Sequence, residues 1–337
     1  MSATHIGSAA LGAILALGLA LGGCAPRLDP PGAPVGPPTL ADSDYVAADG
    51  TRLPVQRWVP NPQDPKAIIL ALHGFNDYAN AFAMPGEWWA KHGIAVYAYD
   101  QRGFGRTPHP GLWPGEAALV DDLDGMIGLL RARYPGTPLY LLGESMGGAV
   151  VMTALARPDA PKVDGAILAA PAVWGRATMD LGKRVSLFVG AYTVPWLKVT
   201  GRGLHITPSD NRDMLIALSR DPLVIHETRL DAIWGVVNLM DEALAAAPRL
   251  NGTPLLILYG EHDEIIPRDA MREMIATLPP DPTGERKIAI YPKDYHMLLR
   301  DLAAKTVWED VAAWIEAPKA PLPSGADQTG LVALKGD

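Results

Sequence analysis

The sequence predicts an α/β protein built on a mainly parallel sheet flanked by helices, with a helical cap inserted over one end. Three observations predict it. Apolar runs of strand length at 67–72, 94–99, 139–142, 165–169, 254–259 and 286–291 alternate with stretches of helical length, and such alternation specifies parallel strands joined by crossover helices. A Gly143-Glu144-Ser145-Met146-Gly147 turn lies between the strand-like run Leu139–Leu142 and a helix-compatible run, 148–156, which is the strand–turn–helix setting of a nucleophile elbow. The connection between the 165–169 and 254–259 runs, about 172–250, is too long for a simple crossover.

The elements follow in chain order. Residues 1–23 read as a signal peptide: Leu11–Ala20 is apolar but short for a membrane span of about 20 residues. Leu21-Gly22-Gly23 precedes Cys24, the single cysteine of the chain, and this resembles the lipobox of bacterial lipoproteins. That resemblance implies lipidation of Cys24 and membrane anchoring. Ala25 follows where aspartate retains such proteins at the inner membrane, so the expected location is the outer membrane facing the periplasm. With no second cysteine there is no disulfide, and stability must come from packing. Residues 24–42 hold six prolines and read as an extended tether that spaces the folded part from the membrane.

The folded domain is expected over 43–317, a length that one α/β domain can fill. Strand-like runs on either side of Asp49-Gly50 read as a hairpin. In the cap, about 172–250, Trp174, Trp196, Trp234, Met179, Met214 and Met240 supply apolar area suited to an acyl chain, and Trp196 and Trp234 are expected to set acyl preference. Residues 318–337 lack apolar periodicity and read as a disordered tail.

The candidate chemistry starts at Ser145. A serine hydroxyl needs a base within hydrogen-bond reach and a carboxylate that orients the base, and on this scaffold they follow in the order Ser, Asp or Glu, His. Asp263 stands just past the 254–259 strand, with Glu261 and Glu264 as weaker candidates. His296 is the only histidine beyond it. The oxyanion of acyl transfer needs two preorganised donors. These are expected to be the backbone N–H of Met146 and, after the 67–72 strand and His73-Gly74, that of Phe75. His73 is expected to brace that loop, and Asp100 and Arg102 to pin the Gly103/Gly105 loop.

A net charge of −8 gives no basic stripe for nucleic acid. Residues 261–264 sit on one turn with divergent directions and have no second cluster at ligand spacing, so neither a metal nor another cofactor is expected. A serine at the elbow also argues against chemistry that needs a carboxylate nucleophile there.

Taken together, His73-Gly74-Phe75, Asp100–Thr107, Gly143–Gly148, Asp221-Pro222-Leu223, Gly260–Asp263 and His296 resemble, in order, the α/β-hydrolase superfamily and its branch of monoacylglycerol lipases and lysophospholipases related to serine aminopeptidases. The resemblance implies an α/β-hydrolase fold, a Ser145–Asp263–His296 triad, an oxyanion hole at Phe75 and Met146, and hydrolysis of a carboxylic ester, with monoacylglycerol or lysophospholipid foremost. The chain departs from the pattern at Glu144, where many members carry histidine, and at Asn76–Asn80. The alternatives are an acyltransferase or amidase using the same triad, and a non-catalytic lipoprotein binding module.

Overall fold

The structure, a computed structural model, describes residues 25–61, 64–201, 203 and 205–328. The expected signal peptide and Cys24 lie outside the described residues. Among those described, no helix is long and apolar enough to cross a membrane.

One nine-stranded sheet organises the chain. Its elements are β1 (Thr39–Leu40), β2 (Asp44–Val46), β3 (Arg52–Trp58), β4 (Ala67–Leu72), α1 (Ala83–Lys91), β5 (Ile94–Tyr99), α2 (Glu116–Arg133), β6 (Leu139–Glu144), α3 (Met146–Leu155), β7 (Gly165–Ala169), α4 (Leu181–Thr193), β8 (Lys198–Val199), α5 (Arg212–Arg220), β9 (Thr228–Arg229), α6 (Leu230–Ala246), β10 (Leu255–Gly260), α7 (Arg268–Thr277), β11 (Lys287–Tyr291) and α8 (Ala304–Glu316). The strand order is β1-β2-β3-β5-β4-β6-β7-β10-β11. From β5 to β11 every pairing is parallel, and the β1–β2–β3 edge joins β5 antiparallel. β8 and β9 form a separate two-residue ribbon.

The all-buried strands β4, β5, β6, β7 and β10 are apolar on both faces because helices cover both. Leu70, Leu141, Leu168 and Ile257 face a core shared with Leu123 of α2, Val150 of α3, Leu239 of α6 and Met271 of α7. Their neighbours Ile69, Leu142, Ile167 and Leu256 face Trp89 of α1 and Val307 and Trp314 of α8. This period-2 split between two faces is the strand geometry itself. Arg102 joins the sheet edge to α2: its guanidinium bonds both Asp49, at the β2–β3 turn, and Asp122.

Three expected boundaries are corrected. Residues 25–42 are not a free tether. Asp29 N–H donates to Trp113 O at 2.8 Å, Val35 N–H to Ala48 O at 2.8 Å, and β1 adds a strand to the sheet edge. Proline-rich chain has no core of its own, yet its extended backbone can pair with an edge that is already formed. The cap is also smaller than 172–250. α6 buries Ala232, Val236, Leu239 and Ala243 in the main core and is the crossover helix between β7 and β10, which leaves α4, α5 and the ribbon as the cap proper. Finally, residues 318–328 are ordered against the second core: Leu322 and Ala326 are buried, and Ser324 N–H donates to Asp310 at 3.0 Å. Two apolar side chains and one buried acceptor hold this segment without any periodic pattern.

Within the cap, Phe188 and Tyr192 of α4 pack against Trp234, and the Arg176 guanidinium lies 4.1 Å from that ring. Among the described residues, the other face of α4 stays largely exposed. Leu181, Val185 and Val189, at helical spacing, are all about half exposed or more, and Trp196 is 56% exposed.

Candidate active site

Ser145 is the hinge between β6 and α3. Its φ of 53° and ψ of −114° are strained for a residue with a Cβ, and the turn survives because its neighbours are glycines. A Cβ on Gly147 would stand 2.1 Å from Leu72 O, and one on Gly143 would meet Gly147 at 2.4 Å. The strain is held by the Ser145 N–H donating to Ala169 O at 2.9 Å and the Ala172 N–H donating to Ser145 O at 2.9 Å.

Met146 opens α3, so its N–H belongs to the unsatisfied donors at the positive end of a helix. Phe75 follows β4 and lines the same cavity as Ser145 and Met146. Among the described residues, neither the Phe75 nor the Met146 N–H donates to a protein group. The loop that carries Phe75 is braced as expected by His73, which is fully buried. Its Nδ1–H donates to Gly74 O at 2.8 Å and its Nε2 accepts from Gln101 N–H at 3.0 Å. Burial pushes its pKa down, in keeping with a neutral ring that accepts and donates at once. Asp100 accepts from the Ala79 and Arg106 N–H groups, which closes the neighbouring loop.

His296 Nδ1 lies 2.8 Å from Asp263 Oδ2. The other oxygen, Oδ1, accepts from Ile265 N–H at 2.8 Å and Ile266 N–H at 2.9 Å, and the carboxylate is completely enclosed. Burial works against a charged His296, but the charge and hydrogen bond of Asp263 outweigh it and hold the imidazole pKa above its ordinary value. With Nδ1–H committed to Asp263, Nε2 is the proton acceptor. Glu261 and Glu264 are not brought to the histidine. The former pairs with Arg268 and the latter accepts from Thr207 N–H, both at the surface.

Ser145, His296, Phe75 and Met146 line one cavity of about 250 Å³. Ala172, Val236, Met240, Ile265 and Ile266 form an apolar wall, and Asp77, Glu144 and Arg300 a charged end. A larger surface recess of about 790 Å³, at Arg57, Trp58 and Lys91, contains none of these groups. Met240 of α6 reaches the cavity, whereas Trp196 and Trp234 are absent from its lining, because one is exposed and the other is spent on the cap's own packing. The arrangement combines a cavity-lining hydroxyl on a strained turn, an oriented base and two N–H donors without a partner among the described residues, which is the equipment for acyl transfer.

The charged end escaped sequence reasoning. Arg300 is 6% exposed and contacts Asp77 at 2.8 Å and Glu144 at 3.2 Å. The available signals were Glu144 at the end of an apolar strand and Arg300 directly after Met297–Leu299, since a charge inside an apolar run is buried only when it is paired.

A family model described as serine aminopeptidase, S33, matches residues 63–303. The chain is 26% identical over 292 residues to a monoacylglycerol lipase of Mycolicibacterium smegmatis, covering 82% of this chain and 97% of that one. It is 25% identical over 277 residues to a monoglyceride lipase of Rattus norvegicus, covering 80% and 88% respectively. Among solved structures, the monoacylglycerol lipase of Paleococcus ferrophilus superposes with a TM-score of 0.65 at 22% identity, over 79% of this chain and 99% of that one. A soluble variant of the Saccharomyces cerevisiae monoglyceride lipase, in complex with a substrate analog, superposes with a TM-score of 0.68 at 18% identity, over 88% and 99%. These likenesses establish the α/β-hydrolase fold.

Proposed function

Because the chain belongs to the family described as serine aminopeptidase, S33, we propose that it hydrolyses carboxylic esters through Ser145, His296 and Asp263, with monoacylglycerol or lysophospholipid as substrate. His296 Nε2 takes the Ser145 proton as Oγ attacks the ester carbonyl. The Phe75 and Met146 N–H groups receive the oxyanion, and the protonated imidazole then donates to the leaving alcohol. Water repeats the cycle on the acyl-enzyme. The observation that carries the reading is the 2.8 Å bond from enclosed Asp263 to His296, which lines the cavity that also holds the strained Ser145.

A lipid substrate is supported by the apolar wall of the cavity, by the exposed apolar face of α4 and by the names of the relatives. The family description raises aminopeptidase activity as a second reading. That activity needs a carboxylate whose charge is free to receive the substrate's ammonium group, and here Asp77 and Glu144 are both ion-paired with the Arg300 guanidinium, with only Glu144 Oε1 lacking a partner among the described residues. The ester reading is therefore preferred. The test is a substrate panel on protein lacking residues 1–24: monoacylglycerol, lysophospholipid, p-nitrophenyl esters of rising chain length and an aminoacyl p-nitroanilide, with a competing alcohol to detect acyl transfer. Efficiency that climbs with chain length supports the proposal. Preferential turnover of the anilide, or a dominant transfer product, would replace it.

The second part of the proposal is that Cys24 carries a lipid anchor, at the outer membrane. Since residues 25–42 lie along the domain, the anchor would hold the domain close to the bilayer. Stable anchoring takes more than one acyl chain, so Cys24→Ser should move the protein to the soluble fraction. An unmodified Cys24 in the mature protein, seen by mass spectrometry, would contradict it.

A further inference from the structure

The geometry points to Arg300 as a positioning residue that locks the three segments of the catalytic site to one another, an inference that rests on the ester-hydrolase reading above. Its guanidinium reaches two of them. Nη1 bonds Asp77 Oδ2 at 2.8 Å, and Asp77 lies two residues past the oxyanion donor Phe75. Nη2 bonds Glu144 Oε2 at 3.2 Å, and Glu144 is the residue before Ser145. The backbone of Arg300 belongs to the third segment: its N–H donates to Met297 O at 2.7 Å, one residue past His296. Arg300 O also accepts from Asn211 Nδ2 at 2.9 Å, at the start of α5, which ties the cap to the same point.

A planar guanidinium with fixed donor directions can fork between two carboxylates, whereas an ammonium is a single point charge. The trio is almost wholly buried, with Arg300 at 6%, Asp77 at 6% and Glu144 at 2% exposure. It is also incompletely satisfied, since Arg300 Nε and Glu144 Oε1 have no partner among the described residues. Such a cluster is a poor source of stability, so its value lies in the register it imposes on Phe75, Ser145 and His296. Asp263, Glu144 and Arg300 set the charge around His296, and Asp77 lines the same cavity. Loss of the guanidinium therefore leaves the imidazole beside two uncompensated carboxylates, and loss of Glu144 leaves it beside a balanced Asp77–Arg300 pair with one negative charge fewer.

The test uses full-length protein carrying Arg300→Met, Arg300→Lys or Glu144→Gln, with Ser145→Ala as control. Each is titrated with a fluorophosphonate and assayed on a short soluble ester across pH. Misplacement of reacting groups by about 1 Å costs on the order of 100-fold. Arg300→Met should therefore lose about 10- to 100-fold in kcat per titrated site with little change in KM, and its acid limb should move to higher pH. Arg300→Lys should lose kcat with the limb in place, and Glu144→Gln should move the limb to lower pH. A merely structural role would lower the titratable fraction and leave kcat per site and both limbs at parent values, and that result overturns the inference. If Arg300→Met does not fold, an unmoved limb in Glu144→Gln overturns it instead. Residual full activity in Ser145→Ala would instead show failure of the hydrolase reading itself.

Discussion

Replacing Asp263 by asparagine tests whether that carboxylate acts by fixing the tautomer of His296. The side chain accepts three hydrogen bonds: from the Ile265 and Ile266 N–H groups at 2.8 and 2.9 Å, and from His296 Nδ1–H at 2.8 Å. An asparagine of the same shape keeps the two backbone bonds through its amide oxygen, so the loop after β10 stays folded. Its NH₂ group then faces Nδ1. A donor there moves the ring proton to Nε2, the nitrogen that must accept from Ser145. The same exchange in a Ser-His-Asp triad lowers turnover about 10⁴-fold, equivalent to about 5.4 kcal/mol at 1.36 per tenfold. A neutral hydrogen bond contributes only about 1 kcal/mol, so the magnitude separates tautomer control from simple loss of a contact. The assay is kcat and KM on p-nitrophenyl butyrate, with near-ultraviolet circular dichroism to verify the fold. Well-folded Asp263→Asn losing less than about tenfold in kcat would refute the reasoning.

Other outcomes follow from the same geometry. His296 is held above its ordinary value of 6.5 and works only when neutral, so kcat/KM should fall on the acid side with a midpoint above that value. The same shift stabilises the fold fully below 6.5 and is lost as pH rises through the raised pKa, which urea titrations at a series of pH values would measure. Met240→Ala should lower kcat/KM for medium-chain esters by roughly 4- to 30-fold, since it removes the apolar wall for one to a few methylenes at about 0.8 kcal/mol each, while acetyl-ester turnover stays near the parent's. Arg102→Met leaves Asp49 and Asp122 facing each other with side chains about 5% exposed. It should cost about 3–5 kcal/mol of stability, read as a lowered denaturant midpoint.

The sheet was legible because its strands are buried on both faces and so appear as unbroken apolar runs, and the elbow because only glycine fits at 143 and 147. The pairing of Asp263 with His296 was legible from chain order and strand ends. What escaped notice depends on partners distant in sequence. Residues 25–42 pack through backbone pairing, which leaves no side-chain pattern. The segment 318–328 is held by single contacts from Leu322, Ala326 and Ser324. α6 reads as an amphipathic helix whether it covers the sheet or the cap, so its membership in the core could not be read from 230–246. Asp77, Glu144 and Arg300 are 67 and 156 residues apart in succession, and only the fold brings their charges together.

The most direct measurement is mass-spectrometric mapping of a fluorophosphonate adduct on the full-length protein, run beside Ser145→Ala and His296→Ala. The account predicts one adduct, on Ser145, formed rapidly by the parent, slowly by His296→Ala and not at all by Ser145→Ala. An adduct on another serine, or ester hydrolysis at the parent's rate by Ser145→Ala, would contradict it.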